Sequence, residues 1–581
     1  MSEPSYYLGL DLSTQQLKGL AINETLEIVV TETVDFDKEL PHYNTTKGVY
    51  INGNDIECPV GMWLEALDLL FEKFKKKGFS LNNVRAISGS CQQHGSVYWS
   101  QNANTLLKNL GSDTDKSLVS HLIPDAFSRQ TAPNWQDHST GSQCQSFERK
   151  VGGPQALAEI TGSRAHFRFT GPQIMKIAEK EPGNYANTSS VSLVSSFITS
   201  LLCGELTPLE EADSCGMNLY DIRKRQFNED LLSLIDSNED NIRTKLMDPP
   251  LKCDKPVRLG SISKYFVQKY GFNPSCSIFP LTGDNLATIC SLPLKTNDVL
   301  VSLGTSTTIL LVTNQYQPSP NYHLFIHPTI PDHYMGMICY CNGALAREKI
   351  RDELNETGEG NSWNLFNEAV LDDTIDNSDE LGIYFPLGEI VPSVSAIYKR
   401  AKFDKATGEI KAIVDEFANK KHDAKNIVES QALSCRIRIS PLLSKEGNSN
   451  KNEMTSNENG TVKFDYAEIP ISDYLSKRPN RAFFVGGASK NDAIVKKFAQ
   501  IIGAQEGNYR LETPNSCALG GCYKAIWSQL YHLGETKESF DVYLDKHFPW
   551  GEVERICEPD EKAWELYNKK IVPMSHLEAL L

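Results

Sequence analysis

The apolar run that opens "LGLDLSTQQLK" (residues 8–18) ends in Asp11, Ser13 and Thr14. Serine and threonine alone would serve an ordinary hairpin turn, and a carboxylate closing a buried strand needs another reason. Beside a polyphosphate it has one. Asp11 would hold a hydrated Mg2+ while backbone N–H groups around Ser13 to Gln15 meet phosphate oxygens. Lys18 lies within reach of the same anion. On this stretch alone the plain hairpin remains an open alternative. The pattern returns in "VLVSLGTSTTILLV" (Val299 to Val312), where an apolar strand, a turn of Gly304, Thr305 and Ser306, and a second apolar strand follow one another. Asp11-Leu12-Ser13-Thr14 aligns with Ser302-Leu303-Gly304-Thr305 without a gap, which points to two related halves. Ser302 stands where the first turn has Asp11, as if one half held metal and the other held phosphate alone.

A third glycine turn lies in "FFVGGASKN". Gly486 and Gly487 follow a strand and precede a helix, so backbone can approach a flat ligand such as adenine. A tight strand-to-helix turn would use the same glycines. In "PLTGDNLATIC", Asp284 stands where a helix begins. It is either an N-cap or a general base at a strand end, with Asn285 beside it to bind sugar hydroxyls. "QQHGSVYW" offers Gln93, His94, Tyr98 and Trp99 as a polar-aromatic cluster suited to a carbohydrate. "TGSRAHFRFTG" adds Arg164 and Arg168, which are equally residues for surface ion pairs. His323 and His327 are spaced like metal ligands, but Pro328 and strand-like neighbours argue against a metal helix. The pairs Cys339/Cys341 and Cys517/Cys522 lack a second metal-like pair.

These residues need elements to hold them. Strand-like runs alternate with helical ones along almost all 581 residues, the pattern of an α/β protein. In "PVGMWLEALDLLFEKFKKKG", Met62, Trp63, Leu67, Leu70, Phe71 and Phe74 share one helical face, and Lys75 to Lys77 followed by Gly78 close the helix. "SCALGGCYKAIWSQL" reads as a small-residue helix suited to close packing. The repeat divides the chain at 1–290 and 291–581 rather than into four small domains. "SKEGNSNKNEMTSNENG" (444–460) has almost no apolar residue and is expected to be a disordered surface insertion without chemistry. A formal charge of −16 disfavours nucleic acid and anionic membrane as partners. "SVSLVSSFITSLLCG" is too short and too serine-rich to span a bilayer and reads as a buried helix. Fourteen cysteines without an export signal indicate reduced thiols and a cytoplasmic protein.

Seven stretches, in order along the chain, resemble the FGGY carbohydrate kinases, nearest to their eukaryotic xylulose-kinase branch. They are "LGLDLSTQQLK", "GSCQQHGSVYW", "TGSRAHFRFTG", "TGDN", "VSLGTS", "NGALAREKIRDE" and "FFVGGASKN". The resemblance implies two ribonuclease-H-like domains, as in actin and hexokinase, with an interdomain cleft that closes on ATP. It implies Mg2+-dependent transfer of phosphate from ATP to D-xylulose, whose product feeds the pentose phosphate pathway. By motif, Asp284 is then the catalytic base, and His94, Arg168, Asp284 and Asn285 contact the sugar. Asp11, Thr14 and Lys18 form the first phosphate loop, with Asp11 on the metal, and Gly304 and Thr305 form the second. Gly486, Gly487, Ala488 and Asn491 take the adenosine, with Trp363 in "NSWNLF" as a further nucleotide contact. Partners are then the two small substrates, with no nucleic acid or membrane, on a monomer or homodimer. Two features depart from the family: Ser13 stands where many members have glycine, and the 444–460 insertion has no counterpart in compact members. Competing readings are a sister kinase for ribulose, gluconate or glycerol, an actin- or chaperone-like nucleotide-binding protein, and a catalytically silent sugar sensor. The nucleotide-binding protein would share both phosphate turns without requiring the His94 and Asp284 pocket, and intact Asp284 and Asp11 argue against the silent sensor.

Overall fold

The computed structural model describes residues 4–355, 360–444, 461–463, 468–470, 477–512 and 515–581. The insertion expected at 444–460 therefore lies, beyond Ser444, outside the described residues. The chain forms two compact units.

The first unit is built on β1 (Tyr6–Leu12), β2 (Gln16–Ile22), β3 (Ile28–Asp35), β4 (Val84–Cys91), β5 (Gly260–Ser261), β6 (Ser277–Ile278) and β7 (Thr282–Gly283). Its sheet runs β5-β6-β4-β1-β2-β3, with β7 also paired to β4. β1 and β2 are antiparallel, as are β2 and β3, whereas β4 runs parallel to β1 and β6 parallel to β4. Alternating apolar residues bury Leu8, Leu10 and Leu12 of β1 completely. Helix α1 (Val60–Lys76) presents the apolar face expected of it, and Trp63, Phe71 and Phe74 are fully buried. Trp63 packs 5.9 Å from Phe197 and Phe71 5.4 Å from Phe266, centroid to centroid, which is ordinary aromatic packing range. Helix α2 (Thr170–Lys180) follows, then α3 (Val194–Cys203), the serine-rich helix, which is buried on nearly every side. Its Ser196 and Ser200 hydroxyls donate to the carbonyls of Leu193 and Ser196, which lets a polar helix lie in the core. The short helices α4 (Glu211–Ser214) and α5 (Asp284–Ile289) carry carboxylates of the site.

The second unit repeats the arrangement with β8 (Val299–Leu303), β9 (Thr307–Thr313), β10 (Tyr334–Tyr340), β11 (Arg481–Val485), β12 (Gly507–Arg510) and β13 (Glu554–Cys557). These strands follow the order β10-β9-β8-β11-β12-β13. β9 is antiparallel to both β8 and β10, and β11 and β12 continue parallel to β8. The connectivity matches β3-β2-β1-β4-β6 strand for strand, so the match between the two turns in the sequence reflects a repeated fold. Helices α6 (Ala344–Leu354), α7 (Asn364–Leu371), α8 (Lys420–Ile439) and α9 (Asp492–Ile502) belong to this unit.

The first unit is completed from far down the chain. It comprises Met1–Pro293, Leu324–Asp332 and Asn515–Phe548, whereas a single cut after residue 290 assigns the last two segments to the other half. The reason is α10 (Ser516–Leu533), the small-residue helix, which packs on β1 and β4. A Cβ on Gly521 would lie 2.5 Å from Gly89 Cα, and one on Gly9 would lie 2.0 Å from the Ala518 carbonyl oxygen. Helix and sheet approach so closely that only glycine fits at the contact. Among the described residues no helix is long and apolar enough to cross a membrane.

Candidate active site

Asp11 is the penultimate residue of β1 and pairs directly with Lys18 on β2, so both side chains leave the sheet on the same face. Asp11 is only 7% exposed and accepts from Ser90 Oγ at 2.8 Å. Desolvation raises its carboxyl above the ordinary range, against the lowering effects of Ser90 and Lys18. The turn that follows is a hairpin, closed by the Ser13 N–H and hydroxyl, both donating to Gln16 O at 3.0 Å. Hairpin and acid coexist here. Thr14 Oγ1 accepts from the indole N–H of Trp135 at 2.8 Å.

At the end of β4, His94 adopts φ +71°, the left-handed region that side chains rarely occupy. Its Nδ1 donates to the Gly216 carbonyl at 2.9 Å, and its own carbonyl accepts from Thr170 Oγ1 at 2.9 Å. The ring stacks on Phe169 with centroids 4.4 Å apart. The Gly216 carbonyl, which can only accept, places a proton on Nδ1. Arg168 places its guanidinium 5.7 Å from the same Phe169 ring. Phe169 therefore gathers two of the expected sugar residues. Tyr98 and Trp99 do not join them. Both are fully buried, Trp99 donating to Ser192 Oγ at 2.8 Å and Tyr98 bonding Ser96 Oγ at 3.0 Å, so they belong to the core. Arg164 forms an ion pair with Glu148 at 3.3 Å.

Asp284 is the first residue of α5, one position inside the cap, which is Gly283. Its Oδ1 accepts from the backbone N–H of Asn285 at 2.8 Å and from Asn285 Nδ2 at 3.1 Å. Asn285 Nδ2 also reaches Gln93 Oε1 at 3.0 Å. Part of Asp284 stays open to solvent, yet the protein packed around it desolvates the carboxyl and pushes it up to about 7; Asp11 adds to the rise, while the Asn285 N–H and Arg168 oppose it. A carboxyl that titrates near neutrality is well matched to taking a hydroxyl proton.

One buried carboxylate near Asp284 escaped the sequence reading. Asp213, in α4, is 2% exposed, accepts from Ser195 Oγ at 2.6 Å and is pushed up to about 7 by burial. It sits in "EEADS" (210–214), which carries none of the motifs singled out in the sequence. Glu210 and Glu211 are buried as well, each held by its own partners: Thr282 Oγ1 and Lys524 for Glu210, Tyr220 and Arg225 for Glu211.

In the second unit, Gly304 N–H donates to Ser306 O at 3.0 Å and closes the β8–β9 turn. The N-terminus of α6 rests against this turn: Gly343 N–H donates to Thr305 O at 3.1 Å and Ala344 N–H to Gly304 O at 3.0 Å. A Cβ on Gly343 would lie 2.6 Å from the Thr305 carbonyl oxygen. Gly486 is exposed at φ +89°, and nothing lies within 4 Å of a Cβ placed on Gly487. Ala488, half-buried beside them, accepts from the Asn491 N–H at 3.1 Å. Asn491 caps α9, its Oδ1 accepting from Ala493 N at 3.1 Å and Ile494 N at 3.2 Å. Its Nδ2 donates to Asn367 Oδ1 at 2.8 Å, and the Asn367 N–H donates to Trp363 O at 2.8 Å. Asn367 thus joins Trp363 and Asn491, and Arg351 lies 4.6 Å from the Trp363 ring.

His327 accepts the Ile330 N–H on Nδ1 at 3.1 Å, a loop-fixing role. Among the described residues no group of three His, Cys, Asp or Glu side chains is placed to hold a metal. Mg2+ commonly binds through one or two carboxylates, substrate phosphates and waters, and a single buried Asp11 beside the Ser13–Gln16 turn fits that mode.

The FGGY family of carbohydrate kinases, N-terminal domain, matches residues 130–290, and its C-terminal domain matches residues 299–529. The chain is 63% identical over 588 residues to the xylulose kinase of Saccharomyces cerevisiae, covering 100% of this chain and 97% of that one. It is 41% identical over 594 residues to the probable D-xylulose kinase A of Neosartorya fischeri, covering 99% and 98%. The crystal structure of xylulose kinase from Rhodospirillum rubrum shares the fold at TM-score 0.72, with 15% identity and 99% of both chains covered. With the repeated hairpin sheets, the acid-bearing first turn and the near-neutral Asp284 already in place, these matches assign the chain to the FGGY family of carbohydrate kinases.

Proposed function

We propose that this chain transfers the γ-phosphoryl group of ATP to the terminal hydroxyl of D-xylulose, giving D-xylulose 5-phosphate and ADP. The observation that carries the reading is Asp284, a carboxyl raised to about 7 and held at the start of α5 by Asn285. The names of the full-length relatives supply the sugar. Asp284 takes the proton from the substrate hydroxyl as its oxygen forms a bond to the γ-phosphorus, and the bond to the β-phosphate oxygen breaks with that electron pair leaving on ADP. His94 Nε2 accepts from one sugar hydroxyl, Arg168 donates to a second, and Asn285, whose two N–H groups are held by Asp284 and Gln93, accepts from a third through Oδ1. Backbone N–H groups of the two turns, with Thr14, Lys18 and Thr305, hold the phosphates, while Gly486, Gly487, Ala488, Asn491 and Trp363 hold the adenosine. Asp11 would carry a Mg2+ ion, which neutralises phosphate charge when bound. The remaining residues position and polarise, which is most of what phosphoryl transfer asks of a protein.

With fourteen free cysteines, nine of them buried, we place the enzyme in the reducing cytoplasm, as a monomer or homodimer. A coupled ADP-release assay over D-xylulose, ribulose, gluconate and glycerol tests the proposal. The highest kcat/KM is expected for D-xylulose, and a higher value for any of the other three would replace the assigned sugar.

A further inference from the structure

Gln93 Nε2 and Asp213 Oδ1 are both buried, and neither has a hydrogen-bond partner of its own. They converge on one point. A Cβ built on Gly283 would lie 2.4 Å from Gln93 Cγ, 2.6 Å from Gln93 Nε2 and 2.7 Å from Asp213 Oδ1, so the Gln93 side chain lies across the glycine with its amide toward Asp213. Gly283 has φ −68°, a value open to any residue, so the glycine is needed here for space and not for backbone conformation. Through that space the carboxylate faces the amide nitrogen, and the Gln93 amide draws the Asp213 carboxyl down from where burial would put it.

The rest of the chain of contacts leads to the base. An amide that turns its N–H2 toward Asp213 must turn its oxygen the other way, and Gln93 Oε1 accepts from Asn285 Nδ2 at 3.0 Å. The same Nδ2 donates to Asp284 Oδ1 at 3.1 Å. Asp213 is itself fixed from behind. Ser195 Oγ donates to its Oδ2 at 2.6 Å, and its backbone N–H donates to Glu210 Oε2 at 2.8 Å. Without an acceptor at Asp213, nothing on that side tells the two ends of the Gln93 amide apart.

We propose that Asp213 is a positioning residue for Asp284: across the gap left by Gly283 it orients the Gln93 carboxamide, which orients Asn285, which holds the carboxyl that takes the substrate proton. The inference rests on the assignment of Asp284 as the base in sugar phosphorylation. It explains why a buried acid outside the substrate contacts sits in this place, and why the residue before the base is glycine.

The test is a double-mutant cycle on the full chain with Asp213→Leu and Gln93→Leu, reading kcat, the KM values of both substrates and Tm. Asp213→Leu should lower kcat about 10–10²-fold, the scale of a small misplacement of a reacting group, and leave the KM for ATP unchanged. In the Gln93→Leu background the same substitution should lower kcat less than 3-fold further, because its route is already cut. Equal losses in both backgrounds overturn the proposal, as does wild-type kcat in Asp213→Leu. If Asp213→Leu does not fold, Gly283→Ala fills the gap with Asp213 in place and should lower kcat without raising the KM for ATP. Wild-type kcat in Gly283→Ala overturns the proposal. Wild-type protein inactive on D-xylulose would instead refute the assigned reaction. The link is then read from crystal structures of Asp213→Leu and Gly283→Ala, in which an intact Gln93–Asn285–Asp284 chain of hydrogen bonds overturns it and a rotated amide upholds it.

Discussion

The imidazole of His94 lies against the ring of Phe169, 4.4 Å between centroids and 23° from parallel, with its Nδ1 tied to the Gly216 carbonyl. The ring can neither turn nor exchange its tautomer without losing one of these contacts. In the proposed reaction, His94→Ala removes a hydrogen-bond partner from a buried sugar hydroxyl, a loss of about 1–3 kcal/mol. The KM for D-xylulose should rise roughly 5- to 150-fold while ATP affinity stays level. Isothermal titration with each ligand checks this, and parallel losses for both would move His94 from the sugar site to the general fold.

Asp284→Asn keeps the shape of the side chain and loses the proton acceptor. Turnover should fall about 10²–10⁴-fold with the fold intact by circular dichroism. A variant with half of wild-type turnover would remove Asp284 from the chemistry.

The wild-type pH profile gives an independent reading of the same residue. The base works ionised, so with its carboxyl raised to about 7, kcat/KM should fall on the acid side of neutrality. The stability effect has the opposite sign. A carboxyl raised in the folded state holds its proton more tightly there than in the unfolded chain. The stability it gives is complete below the ordinary carboxylate range and is lost as pH rises through about 7. Asp284→Asn should therefore raise Tm at pH 8, and the gain should shrink as pH falls. A pH-independent change in Tm would contradict the assignment.

Gly343→Ala tests the second phosphate turn. Its methyl would meet the carbonyl oxygens of Thr305 and Gly304 at 2.6 and 2.8 Å, so the turn must move. The KM for ATP should rise about 10-fold or more, as for a misplaced binding group, with the KM for D-xylulose unchanged. Steady-state kinetics at saturating co-substrate separates the two, and an unchanged KM for ATP would detach this turn from the nucleotide.

Much of the architecture could be read from local pattern because the repeat is local. Asp11 and Ser302 are each the penultimate residue of a strand, and each strand folds into an antiparallel hairpin at once. Period and turn chemistry survive in a sequence whatever lies around them. What did not show was what each residue packs against. Tyr98 and Trp99 look like sugar-binding aromatics in "QQHGSVYW", but the strand carries them into the core beyond His94. Nothing in "EEADS" singles out Asp213, because neither Ser195 nor Gln93 is near it in the chain. The GG of α10 announced close packing without naming the sheet that it packs on.

That contact has its own test. Gly521→Ala drives a methyl to 2.5 Å from Gly89 Cα, a backbone atom that cannot swing aside. Overpacking of this kind costs about 1–3 kcal/mol, and Tm should drop by several degrees. Gly183→Ala, where nothing lies within 4 Å and φ is not positive, is the matched control and should leave Tm within about a degree. Equal melting of the two variants would mean that α10 does not rest on the sheet this tightly.

The return of α10 to the first sheet also sets a schedule for the ribosome. Asp284 and every strand of that sheet have been translated by Pro293, but the helix that covers β1 and β4 begins only at Ser516. Roughly 220 residues intervene, and at about 5–20 residues per second their synthesis takes on the order of 10–45 s. Throughout that interval the nascent chain carries a sheet with one strip uncovered, bordered by glycines that have no side chain to shield it. A premature stop before Ser516 would release a protein that contains Asp284 and the whole first sheet but lacks the helix that packs on β1 and β4.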